Sequence, residues 1–448
     1  MAGFLILEWL LRMHSKRFTY GSQRVFDFLV LWILPIGLLL LLSSLFFVTN
    51  RNVLHKFYYG FFSAPTLLLL CLRPQELKSL LREPLVIAFL AFCAWALLTL
   101  FWSPESTVDS DLFKRPLHTF MLFAGCGLLL QYRNDLIKPI FFSAAVVALV
   151  VCTLNLVAFF KGFEPGMRMI GGRGALDNPL LSSHLFGFFC VYWLYVCMTT
   201  QRLQVLLFSA PALLIMTAAI LATGSRTPLV ALALAATWLA FTCRNRRSAL
   251  LIAGIIMSGA ALLLFYPEAI TERGSSYRLE LWGMALSRIA DHPFIGHSFN
   301  SSLVLVAGGV ELTEPHSFAL GVLYYVGIIG FIPWAFMLGW GLYKGFKERA
   351  QKLFLLTSAL LAYGIGAGLT EGGGILSRPK EHWFLLWIPL ALLAGLSIAQ
   401  RRRKLSSVPV TTPKARDFDA LCSNAHIIEE DGLGPKVLRL GDGSFLKL

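Results

Sequence analysis

Apolar residues run along this chain in long blocks, and polar residues are confined to short stretches between them. A helix needs about 20 apolar residues to cross a bilayer. Reading for such blocks gives twelve candidate spans: 26–48, 57–72, 84–101, 117–132, 137–160, 180–200, 203–222, 228–243, 248–266, 315–343, 353–370 and 383–400. The second is short, and the tenth is long enough to contain a break at Pro333. No internal repeat is found. The pattern predicts an all-α integral membrane protein with about twelve transmembrane helices. Its organisation reads as a cytoplasmic segment 1–25, a transmembrane body 26–400 and a polar tail 401–448.

The longest polar interval inside the body is 267–314, and within it 276–291 has helical periodicity. On a wheel of about 100° per residue, Leu281, Trp282, Ala285, Leu286 and Ile289 gather around Arg278, with Glu280, Gly283, Ser287 and Asp291 opposite. This predicts an amphipathic helix lying at the outer membrane–water boundary. In the tail, VLRL-GDG-SFLKL reads as two short strands around a turn at Asp442-Gly443.

Composition narrows the class. The chain is 56% hydrophobic and 14% charged, with mean hydropathy +0.68, against ~25% charged in a soluble domain. That excludes a soluble enzyme with a membrane tail, a disordered chain, a disulfide scaffold and a coiled coil. The net charge of +14 first means cytoplasmic loops, not nucleic acid. With the N-terminus inside, inner segments hold 21 Lys and Arg, outer loops 13 and the tail five. Both termini are therefore expected in the cytoplasm, with no cleavable leader. Every outer loop nevertheless carries a cation, which insertion alone does not require. Six of the eight cysteines fall within spans, and none has metal-ligand spacing, so neither a disulfide nor a metal site is expected.

Three outer residues have chemical potential. Arg226 precedes Thr227-Pro228, a helix-start signature, so free N–H groups and a positive helix end beside an arginine would form an anion site. A snorkelling arginine fits the same position. Arg278 sits on an apolar face in a first helical turn, where a cation is disfavoured twice and calls for an anionic partner such as a ligand, Glu272 or Glu311. His316 follows Pro315, another helix-start signal. In the first turn of the tenth span the helix dipole should keep its imidazole neutral, as a general base requires, although from this residue alone a helix-cap histidine is the commoner case. Weaker signals are the Asp109-Ser110-Asp111 pair, the histidines of the HPFIGH turn (His292 and His297), and the glycine-rich GGRG loop at 171–174 with Arg168 and Arg173. No nucleotide-binding motif is visible.

These segments together resemble the O-antigen ligase and polymerase superfamily. The resemblance is carried by G-S-R before the eighth span, Y-R-L-E-L-W and D-H-P-F-I-G in the outer loop, and P-H-S-F-A-L-G-V-L-Y-Y-V-G-I-I-G into the tenth span. Family ligases often have His-Asn where this chain has His316-Ser317, so any role of that Asn has no counterpart here. The resemblance implies metal-independent, inverting glycosyl transfer at the periplasmic face of the bacterial inner membrane, without a cofactor. The implied donor is an undecaprenyl-pyrophosphate-linked glycan. The implied acceptor is lipid A-core for a ligase, a second lipid-linked glycan for a polymerase, or a protein side chain for an O-oligosaccharyltransferase. It assigns Arg226 and Arg278 to the donor pyrophosphate and His316 to the acceptor hydroxyl. Arg168, Arg173 and Arg288, on the same outer segments, are further candidate substrate-binding cations. A lipid-linked-sugar flippase would show charges within its spans. They are nearly absent here, which favours an enzyme, and one dominant outer loop favours the ligase.

Overall fold

The computed structural model describes residues 21–48, 50–105, 109–172, 176–265, 278–307 and 309–406, together with three short strands of the tail. Each of the twelve predicted segments contains helix. The helices are α1 (Gly21–Phe46), α2 (51–72), α3 (Pro84–Leu98), α4 (Asp111–Arg133), α5 (Ile137–Lys161), α6 (Pro179–Thr199), α7 (Leu203–Ala222), α8 (Thr227–Cys243), α9 (Arg246–Phe265), α10 (Arg278–Asp291), α11 (Phe318–Lys347), α12 (Lys352–Gly368) and α13 (Trp387–Ser406). Among the described residues, six helical stretches are both long and apolar enough to cross a membrane; α8 and α12 are apolar but shorter. The protein is an all-α, multi-pass membrane protein. In the tail, Val437–Arg439 and Phe445–Lys447 pair antiparallel as the turn signal predicts, and His426–Ile427 adds a third strand.

Local chemistry sets the helix starts. Pro84, Pro179 and Pro228 occupy first turns, where a missing N–H costs nothing. Asn178 caps α6, its Oδ1 accepting from the Leu180 and Leu181 amides. Helix α12 is buried on all sides, the signature of a central helix. Its neighbours approach through small residues, as in membrane bundles. A Cβ on Gly364 would overlap the Leu385 carbonyl oxygen, and one on Gly345 would lie 2.1 Å from Ser358 Cβ. Helices α6, α8 and α11 all pack on α12, so its two ends organise both ends of this cluster.

Two expectations are corrected here. Helix α11 does not break at Pro333. It breaks at Gly327, whose φ of +62° no ordinary side chain adopts comfortably. The HPFIGH turn docks into that break: the Ile328 and Ile329 amides donate to the Pro293 and Phe294 carbonyls, and the His297 and Ser298 amides donate to those of Tyr324 and Tyr325. The freed backbone groups are thus satisfied by protein, which is the condition for interrupting a helix in an apolar setting. Gly296 meets Gly327 backbone to backbone, so neither position has room for a side chain. The amphipathic α10, in turn, spends its apolar face on protein rather than lipid. Leu281, Ala285 and Ile289 are buried against Leu303, Leu305 and Tyr324, beside the small hairpin Leu305–Ala307 and Val310–Leu312. Leu279 and Leu286 alone keep large apolar surface exposed on this helix.

Candidate active site

The polar residues converge where α6, α8 and α11 begin and α12 ends. A cavity of about 510 Å3 lies there, bounded by the N-termini of α6 (Asn178, Pro179, Leu180) and α8 (Arg226, Thr227) and by Arg168 and Arg278. Two helix N-termini and three guanidinium groups thus share one cavity, and both features favour an anion. Arg168 is held in place: its Nε donates to the Thr223 carbonyl at 2.7 Å and its Nη2 to Ser225 Oγ at 2.9 Å. Gly224, at φ +61°, leaves room for that side chain. Arg226 is exposed at the N-cap of α8. Arg278, the first residue of α10, donates from Nη2 to Thr227 Oγ1 at 3.3 Å.

Thr227 connects this cavity to a second cluster. Its Oγ1 also lies 3.2 Å from Thr370 Oγ1, and the next residue is Glu371. The Glu371 side chain is 6% exposed, and its Oε1 lies 3.9 Å from both His316 Nδ1 and His382 Nε2. These are ion-pair contacts rather than hydrogen bonds. His184, on α6, is fully buried nearby with neither ring nitrogen hydrogen-bonded. Burial alone would raise the Glu371 carboxyl. His316 and His382 outweigh it and hold the group well below the usual carboxylate range. In return the Glu371 carboxylate raises the His316 imidazole above its ordinary value, against burial and the charge of Arg278.

His316 therefore differs from the sequence expectation in two ways. It precedes α11 rather than lying in its first turn: the helix begins at Phe318, with Ser317 at the cap. Its φ is +48°, a left-handed conformation uncommon outside glycine and a form of strain that collects at functional sites. The expected neutralising influence of the helix dipole is overridden by the buried carboxylate.

Glu371 itself is absent from the sequence expectations, which named Glu272 and Glu311 as carboxylate partners for Arg278. Glu311 lies in the hairpin opposite Val306. The available signal was the run Glu371-Gly372-Gly373-Gly374. Gly372 has φ +78°, and a Cβ on Gly373 would lie 2.6 Å from Pro315 Cδ, so this run lets the loop close onto Pro315-His316.

The other candidates are distributed unevenly. Arg173 lies outside the described residues. Arg288 is exposed in the last turn of α10, about 15 Å along the helix from Arg278, and does not line the cavity. Asp111 is engaged by Arg115 and Arg378, and Asp109 accepts from the Asp111 amide. His297 stacks on Tyr324 and its Nε2 meets the Arg288 carbonyl oxygen, a packing role.

Fold and site define a class: a multi-pass membrane protein with an arginine-lined cavity beside a histidine–carboxylate pair at one end of its helices. The sequence profile of the family described as O-antigen ligase matches residues 211–335, the stretch that holds Arg226, Arg278 and His316. An O-antigen ligase of Pseudomonas aeruginosa (strain ATCC 15692, PAO1) is 40% identical over 388 residues, covering 86% of this chain and 95% of that protein. The chain belongs to the O-antigen ligase family.

Proposed function

We propose that this protein is an inverting glycosyltransferase that moves a glycan from an undecaprenyl-pyrophosphate carrier onto lipid A-core, at the periplasmic face of the inner membrane. The observation that carries this reading is the junction of the two clusters. The cationic cavity at two helix N-termini suits a diphosphate, and the Arg278–Thr227–Thr370 bridge sets it beside His316 and Glu371.

In this reading the acceptor hydroxyl attacks the anomeric carbon from the face opposite the leaving group. The C–O bond to the carrier pyrophosphate breaks as the new C–O bond forms. The hydroxyl proton passes to His316, whose Nδ1 is turned inward to Glu371 and whose other ring nitrogen is left for the substrate. The pyrophosphate leaves with its electron pair, stabilised by Arg168, Arg226 and Arg278 and by the helix ends. Fixed guanidinium groups neutralise the leaving charge, so this scheme needs neither a protonated leaving group nor a bound cation. Residues 267–314 lie on the periplasmic side in this topology, and both termini lie in the cytoplasm.

The test is a deletion strain complemented with wild type or with Arg278→Ala. Loss of polymer on lipid A-core, with lipid-linked polymer accumulating, is the expected phenotype. A ladder of single repeats on lipid A-core would overturn ligation in favour of polymerisation, and normal banding with Arg278→Ala would remove the anion cavity from the reaction.

A further inference from the structure

The same helices enclose a second cavity at their other ends, of about 520 Å3. It lies where α6, α8 and α11 finish and α12 begins. Lys347, Arg349 and Lys352 line it, and no carboxylate is among the described residues that do. None of these three cations forms an ion pair among the described residues. Aromatic faces hold two of them instead: Arg349 lies 4.4 Å over the Phe346 ring and Lys347 lies 5.7 Å over Tyr343. Of the helix-end carbonyls, that of Phe346 accepts from Arg349 Nη1 at 3.0 Å, a neutral partner that leaves the guanidinium charge uncompensated. At the end of α6, the Cys197 and Thr200 carbonyls are taken by Arg247, which lies outside the lining.

An apolar groove of about 180 Å3 follows along α8, α11 and α12, lined by Leu234, Thr237, Trp238, Phe241, Leu342 and Ile365, among others. The two spaces are contiguous in sequence on α8: Phe241 lines the groove and Thr242 the cavity. Polar atoms in the groove are already satisfied. Trp238 Nε1 donates to Ser358 Oγ at 3.0 Å, and Thr237 Oγ1 donates to the Ala233 carbonyl. A basic chamber at the helix ends, with an apolar groove that begins at the neighbouring residue of α8, matches an anionic headgroup with a hydrocarbon chain. Basic pockets between membrane helices bind such headgroups by charge, and a methylene chain fills an apolar groove with no hydrogen bond to lose.

We propose that this is a binding site for an anionic phospholipid, with its phosphate at Lys347, Arg349 and Lys352 and one acyl chain along the groove between α8 and α11. The consequence reaches the other end of the molecule. Helix α8 begins with Thr227, α11 follows His316, and α12 leads to Glu371. A lipid bridging α8 and α11 over α12 holds together the three helices that position the site.

The experiment uses the full chain, purified in mild detergent, stripped of lipid and examined by native mass spectrometry. Phosphatidylglycerol should bind about 10-fold or more tightly than phosphatidylcholine. Lys347→Gln/Arg349→Gln/Lys352→Gln should remove that preference. Thr237→Trp, an exposed position at the groove, leaves every charge in place and should weaken both lipids. On the wild type, phosphatidylglycerol should also protect Lys352 from an amine-acylating reagent, a readout that needs no variant. Equal binding of the two lipids overturns the proposal. So does undiminished phosphatidylglycerol binding in either variant. If inorganic phosphate protects Lys352 while phosphatidylglycerol does not, the cavity takes a free anion and the lipid assignment fails.

Discussion

The arginine cavity and the histidine–carboxylate pair lie side by side, joined through Thr227 and Thr370, yet they are built in different ways. The cavity is local and open. Arg226 and Arg278 sit at helix starts, Arg168 comes from the loop between α5 and α6, and Arg226 is exposed to whatever approaches. The pair is non-local and enclosed. His316 and Glu371 come from segments 55 residues apart, Glu371 is nearly buried, and Glu371 is held charged by two histidines. In the proposed reading, the first kind of construction suits entry of a large lipid-linked diphosphate. A site that must tune one imidazole needs the second, because a carboxylate changes a pKa most strongly where water does not screen it. If the proposed roles hold, the difference means that binding and proton transfer can be perturbed separately.

The sharpest break between the two falls at His316. His316→Ala should insert, fold and bind donor, yet lose transfer by about 10²–10⁴-fold, the range for a positioned acid–base group. The measurement is turnover of purified enzyme with lipid-linked donor and acceptor, alongside donor binding. If the variant turns over near the wild-type rate, the left-handed histidine is a structural cap and the base lies elsewhere.

Next in size are the arginines. Arg226→Lys and Arg278→Lys keep the charge and lose the planar fork that grips two phosphate oxygens. Each should reduce transfer by roughly 10–100-fold, the loss expected from one charge-assisted hydrogen bond at a developing charge. The pH dependence should not move, since neither residue supplies the proton acceptor. A shifted pH profile in either variant would mean that the two clusters are not separable.

Glu371→Gln sharpens the same division from the other side. Glu371 raises the His316 pKa, so wild-type activity should fall as pH drops through a value above the ordinary 6.5 of imidazole, where the ring becomes protonated. Removing the carboxylate lowers that pKa. The acid limb of the profile should move to lower pH, while the rate at high pH falls about tenfold because the base is weaker and less well oriented. Profiles over about pH 5–9 decide the matter. An unmoved acid limb with a reduced rate would make Glu371 a packing residue only.

What the sequence revealed follows the same line. Helices were legible because long apolar blocks and the Thr-Pro start of α8 act locally; Arg226 and Arg278 were legible because they sit at helix starts, and Arg168 because it flanks the glycine-rich 171–174 loop. Glu371 was not, because nothing near it in sequence says that a run of three glycines closes onto Pro315. The break in α11 was misplaced for a related reason. Pro333 is a local helix breaker, but its lost hydrogen bond is tolerated, whereas Gly327 is bent by a loop that arrives from residues 292–298. The apolar stripe of α10 was correct as a pattern. Its partner, the Leu305 hairpin and Tyr324, lay too far along the chain to be inferred, so lipid was assigned in its place.

The smallest expected effect concerns two arginines that look alike in sequence, Arg168 and Arg288. Both were expected on outer segments, each followed by an apolar residue, Met169 and Ile289. Arg168 lines the cavity and is locked to Thr223 and Ser225, so Arg168→Ala should cost about tenfold in transfer through loss of a positioned charge. Arg288 contributes its backbone carbonyl to His297, which alanine keeps, while its side chain is exposed at the far end of α10. Arg288→Ala should therefore stay within about twofold of wild type, the usual scale for a surface substitution. The two variants are compared in one assay at two donor concentrations. If Arg288→Ala fails at low donor and recovers at high donor, the donor glycan runs along α10 beyond the cavity. The binding half of the site would then extend a further three turns of helix, while the proton-transfer half stayed confined to His316 and Glu371.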